Sequence, residues 1–160
     1  MGWRASGIGL FGGKSHTIRD DLVINNFSGA GIRLNTVFDG HNFDLNTDGG
    51  ITIAHNNLVR SGTTNDFYGN TRGAIDFQEV KGDIRNVSVI DNVIVRPYAE
   101  EIRADFGLGE SALSSRGITL RDNKRDDEAG YTAKSQVVNY AQVNGSVLRG
   151  ILETDDFSLY

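Results

Sequence analysis

Cysteine is absent from the 160 residues, which removes a disulfide framework, a thiolate metal site and a thiol nucleophile together. Proline occurs once against 20 glycines, a balance that favours turns and short strands over long helices. Positive charge is also scarce. The formal net charge is -5 and no Lys/Arg run exceeds two adjacent residues, so the basic footprint expected of a nucleic-acid partner is missing. No segment approaches the ~20 apolar residues of a membrane helix, so no membrane partner is expected. The opening MGWRASGIGLFGGKSH is interrupted by Gly7, Gly9, Gly12 and Gly13 and does not read as a secretory signal. Localisation is left open by these features.

What the chain does contain is a repeat. Ile18, Ile53, Val89 and Leu120 each follow Thr17, Thr52, Ser88 or Thr119, and each is followed three residues later by Asp21, Asn56, Asn92 or Asn123. Further apolar positions agree in three copies, Val23, Leu58 and Ile94, then Ile24, Val59 and Val95, whereas the fourth copy carries Lys124 and Arg125 there. Between these lie pairs at spacing two, Ile8/Leu10, Ile32/Leu34 and Ile75/Phe77, the period that turns both side chains to one face of a strand. A unit thus holds a GIxL strand, a turn and a TIxxNxxV strand.

Such a unit has too little apolar surface to fold alone, and equivalent strands at a near-fixed interval bury their faces by stacking. The pattern predicts an all-β, right-handed parallel β-helix of about four to five coils, a piece of a longer helix, with residues 1–123 forming coils and 124–160 a last coil or cap strands. Asn56 and Asn92, with Asn123, are expected to stack as an amide ladder at a bend. Open ends would invite self-association or further β-helix coils.

If the GIxL pairs face inward, their neighbours form two outward columns: Gly9, Arg33, Asp76 and Phe11, Asn35, Gln78. Planar polar groups a few rungs apart suit sugar hydroxyls, and Phe38, Phe43, Phe67 and Tyr68 on the intervening excursions would cover sugar faces. The predicted binding residues are Arg33, Asn35, Asp76, Gln78, Phe38 and Tyr68. Asp76, the one carboxylate on these columns, is the candidate for catalysis, although glycoside hydrolysis ordinarily uses two. The competing reading is local ion pairing. Glu79, Asp66 and Asp105 are loop carboxylates without a distinguishing spacing. Asp20-Asp21 reads as a turn.

DLNTDGG, residues 44–50, opens like a calcium loop, but the twelfth position is His55 rather than Glu, which excludes an EF-hand. A looser calcium site from Asp44, Asn46 and Asp48 stands against an ordinary Asx-rich turn, and no other cofactor is expected. His16, His41 and His55 lack a ligand spacing. There is no G-x-S-x-G and no dinucleotide fingerprint.

The order SGIGLFGGKSHTIRDDLVIN, GAGIRLNTVFDGHNF, TIAHNNLVRSGT, GAIDF resembles the β-helix catalytic domain of microbial α-1,3-glucanases and mycodextranases over residues 6 to about 96. The resemblance implies a secreted, α-glucan-degrading glycoside hydrolase with polysaccharide, specifically glucan, as partner. It also implies an acidic pair in a G-D-D segment one coil before the GIGL stretch. That segment has no counterpart here, and Asp20-Asp21 lies downstream and is followed by Leu22, so no catalytic residue of the family transfers. A non-catalytic glycan-binding or structural module is the alternative, and a polysaccharide lyase or epimerase the third.

Overall fold

The computed structural model describes residues 6–24, 26, 28–37 and 50–126. Strands β1 (Ile8–Leu10), β2 (Thr17–Arg19) and β3 (Leu22–Ile24) make one coil. The next coils are β4 (Ile32–Asn35), β5 (Ile51–Ala54), β6 (Asn57–Val59) and then β7 (Ile75–Gln78), β8 (Val87–Ile90), β9 (Val93–Val95). The last comprises β10 (Ile102–Ala104), a short helix α1 (Glu110–Ser114), β11 (Thr119–Arg121) and β12 (Lys124–Asp126). Every third strand joins the same sheet, in the orders β1-β4-β7-β10, β2-β5-β8-β11 and β3-β6-β9-β12. All these pairings are parallel, so the molecule is a parallel β-helix.

The predicted register holds. Ile18 pairs with Ile53, Ile53 with Val89 and Val89 with Leu120, while Ile8, Ile32, Ile75 and Ile102 form a second inward column. These residues fill the cylinder together with Val23, Leu58, Ile94, Leu34 and Phe77, most of them with no exposed surface. Burial of such stacked columns, coil on coil, replaces the single core that each unit lacks.

Two local features differ from the sequence expectation. The TIxxNxxV segment is two strands, because the residue before each ladder position, Asp20, His55, Asp91 or Asp122, is left-handed, with φ of 60°, 56°, 53° and 55°. Asp and His tolerate this region better than β-branched residues do, and a single left-handed residue reverses enough backbone to make the corner. This places Asp20 in the turn, where its carboxylate meets Arg19 at 2.7 Å. The charged fourth copy also keeps its strand: Lys124, Arg125 and Asp126 pair with Val93, Ile94 and Val95. Backbone bonding to the coil beneath supplies a template that does not depend on side-chain polarity.

The amide ladder runs along that corner. The backbone N–H groups of Asp21, Asn56 and Asn92 donate to the Oδ1 atoms of Asn56, Asn92 and Asn123 at 3.1, 3.0 and 3.1 Å. Asn56 Nδ2 donates to Asn92 Oδ1 at 2.9 Å and Asn92 Nδ2 to Asn123 Oδ1 at 2.8 Å. The same Nδ2 groups reach the other way, to the carbonyls of Ile18 and Ile53 at 3.1 and 3.0 Å, and Asn123 Nδ2 reaches Val89 O at 2.8 Å. Asp21 lacks an amide donor and terminates the series.

Asn92 is fully buried, so removing its side chain takes the acceptor from the Asn56 backbone N–H and a donor from the Ile53 carbonyl, while Asn123 Oδ1 keeps only the backbone N–H of residue 92. Asn92→Ala is expected to lose about 2–4 kcal/mol, read as a lower denaturant midpoint, with Asn92→Asp scarcely better because a carboxylate has no hydrogen to donate.

Candidate functional site

On the first sheet the inward pairs leave two outward columns that now extend to a fourth rung. Gly9, Arg33, Asp76 and Arg103 are in register, and Asn35 is in register with Gln78. Phe11 follows β1 and Asp105 follows β10, prolonging the second column. The fourth rung escaped the sequence reading, though Ile102, Ala104 and Phe106 do alternate at period two.

The left part of this face is polar and planar. Arg33 and Asn35 both donate to Gln78 Oε1, Arg33 through Nη2 and Asn35 through Nδ2. Opposite them stands residues 63–72, a loop built for rigidity. Thr63 and Arg72 exchange backbone hydrogen bonds of 2.9 and 2.7 Å across its base. Gly62 precedes it at φ +95°, where a Cβ would lie 2.7 Å from Arg72 O, so only glycine fits that entry. Asp66 Oδ1 accepts the Tyr68 and Asn70 amides at 2.8 and 2.9 Å, and Asp66 Oδ2 accepts Arg72 Nε at 2.8 Å. The tip presents Phe67 and Tyr68, packed edge to face at 5.1 Å and both mostly exposed.

Face and loop enclose a pocket of about 540 Å³ whose lining combines the polar Arg33, Asn35, Gln78, Asp66 and Arg72 with the apolar and aromatic Phe11, Phe67, Tyr68, Val37 and Val80. Arg33, Asn35, Gln78 and Tyr68 therefore come together as the sequence suggested. Asp76 occupies its predicted column but does not open to the pocket: none of its surface is exposed. Its carboxylate lies between Arg72 Nη1 at 3.4 Å and Arg103 Nη1 at 3.3 Å, and accepts the Gly73 amide at 3.3 Å. Phe38, Phe43, His41 and the Asp44, Asn46, Asp48 trio lie outside the described residues. Among the described residues no cluster of three or more His, Cys, Asp or Glu could hold a metal, and no helix is long and apolar enough to cross a membrane.

Charge alternates through the site: Asp66, Arg72, Asp76, Arg103, Asp105, with Arg103 meeting Asp105 at 2.7 Å. The two central carboxyls respond in opposite directions. Burial pushes Asp76 up, and the two guanidinium groups recover only part of that shift. Burial also opposes ionisation of Asp66, but the Asn70 amide and Arg72 outweigh it and hold this carboxyl below its ordinary range. Arg72 and Arg103 were not among the residues singled out from the sequence. Glu79 is committed elsewhere, accepting the Ile84 amide at 2.7 Å and pairing with Arg116 at 3.1 Å.

The chain is similar to a solved structure described as the crystal structure of the Agl-KA catalytic domain. Identity is 33%, the match covers 77% of this chain and 19% of that one, and the TM-score is 0.60. The chain thus spans less than a fifth of its neighbour's length. No protein-family model and no curated protein matches it.

Arg72 is nearly buried and neutralises two carboxylates, so Arg72→Ala is expected to cost about 3–5 kcal/mol. Adding Asp76→Asn should recover part of this loss, because it removes the charge left stranded. The sign of the pH effect follows from the raised Asp76 carboxyl: its protonated form is favoured by folding, so its contribution is complete below the ordinary value of 3.8 and is lost as pH rises through the folded value. Denaturation series from acid to neutral pH should therefore show wild-type stability, relative to Asp76→Asn, declining as pH rises above 3.8.

Proposed function

We propose that this chain supplies the glycan-binding groove of a polysaccharide-active β-helix of the α-glucan-degrading kind. Arg33, Asn35 and Gln78 meet hydroxyl groups, while Phe11, Phe67 and Tyr68 cover the apolar faces of successive sugar rings. Asp76 acts from beneath by holding Arg72, which in turn holds the aromatic loop.

The observation that carries this reading is the meeting, in one pocket, of planar polar side chains on adjacent rungs with an exposed aromatic pair on a hydrogen-bonded loop. Rungs repeat every ~4.8 Å, so donors and acceptors are presented at intervals comparable with a sugar unit. Hydrogen-bonding side chains combined with aromatic walls are the ordinary composition of a small-molecule site. Local charge supports a neutral rather than a uronate polymer, since Arg72 is matched by Asp66 and Asp76. The motif resemblance to α-1,3-glucanases supports glucan as the ligand, and the similar solved structure is itself described as a catalytic domain.

Hydrolysis requires two carboxyl groups, ~5–5.5 Å apart for retention or ~6.5–9.5 Å for inversion. Asp66 is the one carboxylate among the described residues that lines the pocket; Asp76 is enclosed. The described residues are therefore read as a binding groove, with glycan retention as the activity assigned to them.

Incubation with insoluble α-1,3-glucan should retain the chain in the pellet without raising reducing ends above background. Tyr68→Ala should weaken retention about fivefold to tenfold, the loss of one aromatic anchor. Release of reducing sugar abolished by Asp66→Asn would replace this reading with an enzyme, and no retention would remove it.

A further inference from the structure

Among the described residues each sheet has an open edge at either end of the cylinder: β1, β2 and β3 at the first coil, β10, β11 and β12 at the fourth. Along the amide corner the two ends carry hydrogen-bonding groups of opposite kinds. In each lower coil the ladder residue donates its backbone N–H to a side-chain oxygen of the coil above. The residue before it donates to a carbonyl there: Asp20, His55 and Asp91 reach Ala54 O, Ile90 O and Arg121 O at 3.3, 3.2 and 3.1 Å. The same two donors of the fourth coil, the N–H groups of Asp122 and Asn123, have no acceptor among the described residues. At the other end the Asp21 carboxylate only accepts. It has no hydrogen-bond or ion-pair partner among the described residues and is not sealed from solvent.

The apolar interior is open at the same two places. Ile8 and Leu10 in the first coil, and Ile102, Ala104 and Leu120 in the fourth, are only partly buried. Arg125 stands in register with Ile94 and pairs with Glu101 at 2.6 Å, and beside it a recess of about 360 Å³ is lined by Ile94, Ile102, Leu108 and Leu120. The first coil of a second copy, set on the fourth in the register of the repeat, places Ile8 over Ile102, Leu10 over the small Ala104 and Ile18 over Leu120. Arg19 then stands over Arg121, but each is already paired within its own coil, with Asp20 at 2.7 Å and with Asp122 at 3.3 Å.

We propose that copies of this chain associate head to tail, the first coil of one copy continuing the helix beyond the fourth coil of the next, with the Asn123 backbone N–H donating to the Asp21 carboxylate across the junction. Open strand edges over half-covered apolar columns are surfaces that pair in this way. The contact joins unlike ends, so it does not close and adds copies along one axis.

Cysteine cross-linking tests the contact, since the chain has no native cysteine. Arg19 and Arg121 lie on one outward column three rungs apart, ~14 Å, beyond the ~7 Å between Cα atoms that a disulfide spans within one chain. Across the junction they occupy adjacent rungs. An oxidised mixture of full-length Arg19→Cys and Arg121→Cys is expected to give a disulfide-linked dimer on a non-reducing gel, with each variant alone remaining monomeric. No dimer in the mixture, the result if residues outside the described ones cover either edge, overturns the proposal. Equal cross-linking by one variant alone also overturns it, because like ends would then be meeting. By light scattering, Asp21→Ala should associate about 10- to 100-fold more weakly than wild type, and Asp21→Asn, which keeps an acceptor, should lie between the two. No described contact within the chain depends on the Asp21 side chain, so the substitution leaves the fold intact. Equal association of Asp21→Ala and wild type removes the ladder contact and the proposal with it.

Discussion

Parallel hydrogen bonding between one coil and the next is the constraint from which the rest follows. It obliges every side chain to stand above its counterpart, so any choice made at one position is repeated along the axis. Inward columns become a continuous core, Ile18 on Ile53 on Val89 on Leu120. At the corner between the second and third sheets, where strand bonding is interrupted, Asn56, Asn92 and Asn123 take over the linkage with their side chains. Each amide serves the coil on either side, which is why Asn recurs at these three positions. The left-handed residue before it makes room for the corner.

The same stacking creates the groove. A face of short parallel strands is nearly flat and its side chains stand at even intervals, so Arg33, Asn35 and Gln78 lie on neighbouring rungs although 45 residues separate the first from the last. A solenoid face has no depth of its own. Depth comes from residues 63–72, whose base is closed by the Thr63 and Arg72 backbone pair and whose interior is organised by Asp66. The aromatic wall is thus carried on a loop with fixed shape, which lowers the entropy lost when a ligand is bound.

Asp76 links these two parts. Standing on the sheet but buried, it requires cationic partners, and it obtains one from the loop and one from the fourth rung. Arg72 shares itself between Asp76 and Asp66, so the loop is fastened to the sheet by charge as well as by backbone. Removing Asp76 therefore affects the wall of the groove from outside it, through Arg72.

The coil repeat, the inward columns, the ladder positions and the outward order Arg33, Asp76 and Asn35, Gln78 could be read from the sequence, because period-two alternation and a recurrent Asn depend only on backbone geometry common to every coil. The fourth rung at Ile102 was hidden by the small Ala104, and β12 by Lys124 and Arg125, since pairing with the coil below does not demand apolar side chains. Which outward residues open to the groove was decided by tertiary structure alone. Asp76 is enclosed because Arg72 and Arg103, four and 27 residues away, converge on it from a loop and a neighbouring strand. That convergence depends on how far the chain travels between coils before it returns, and no local pattern encodes it.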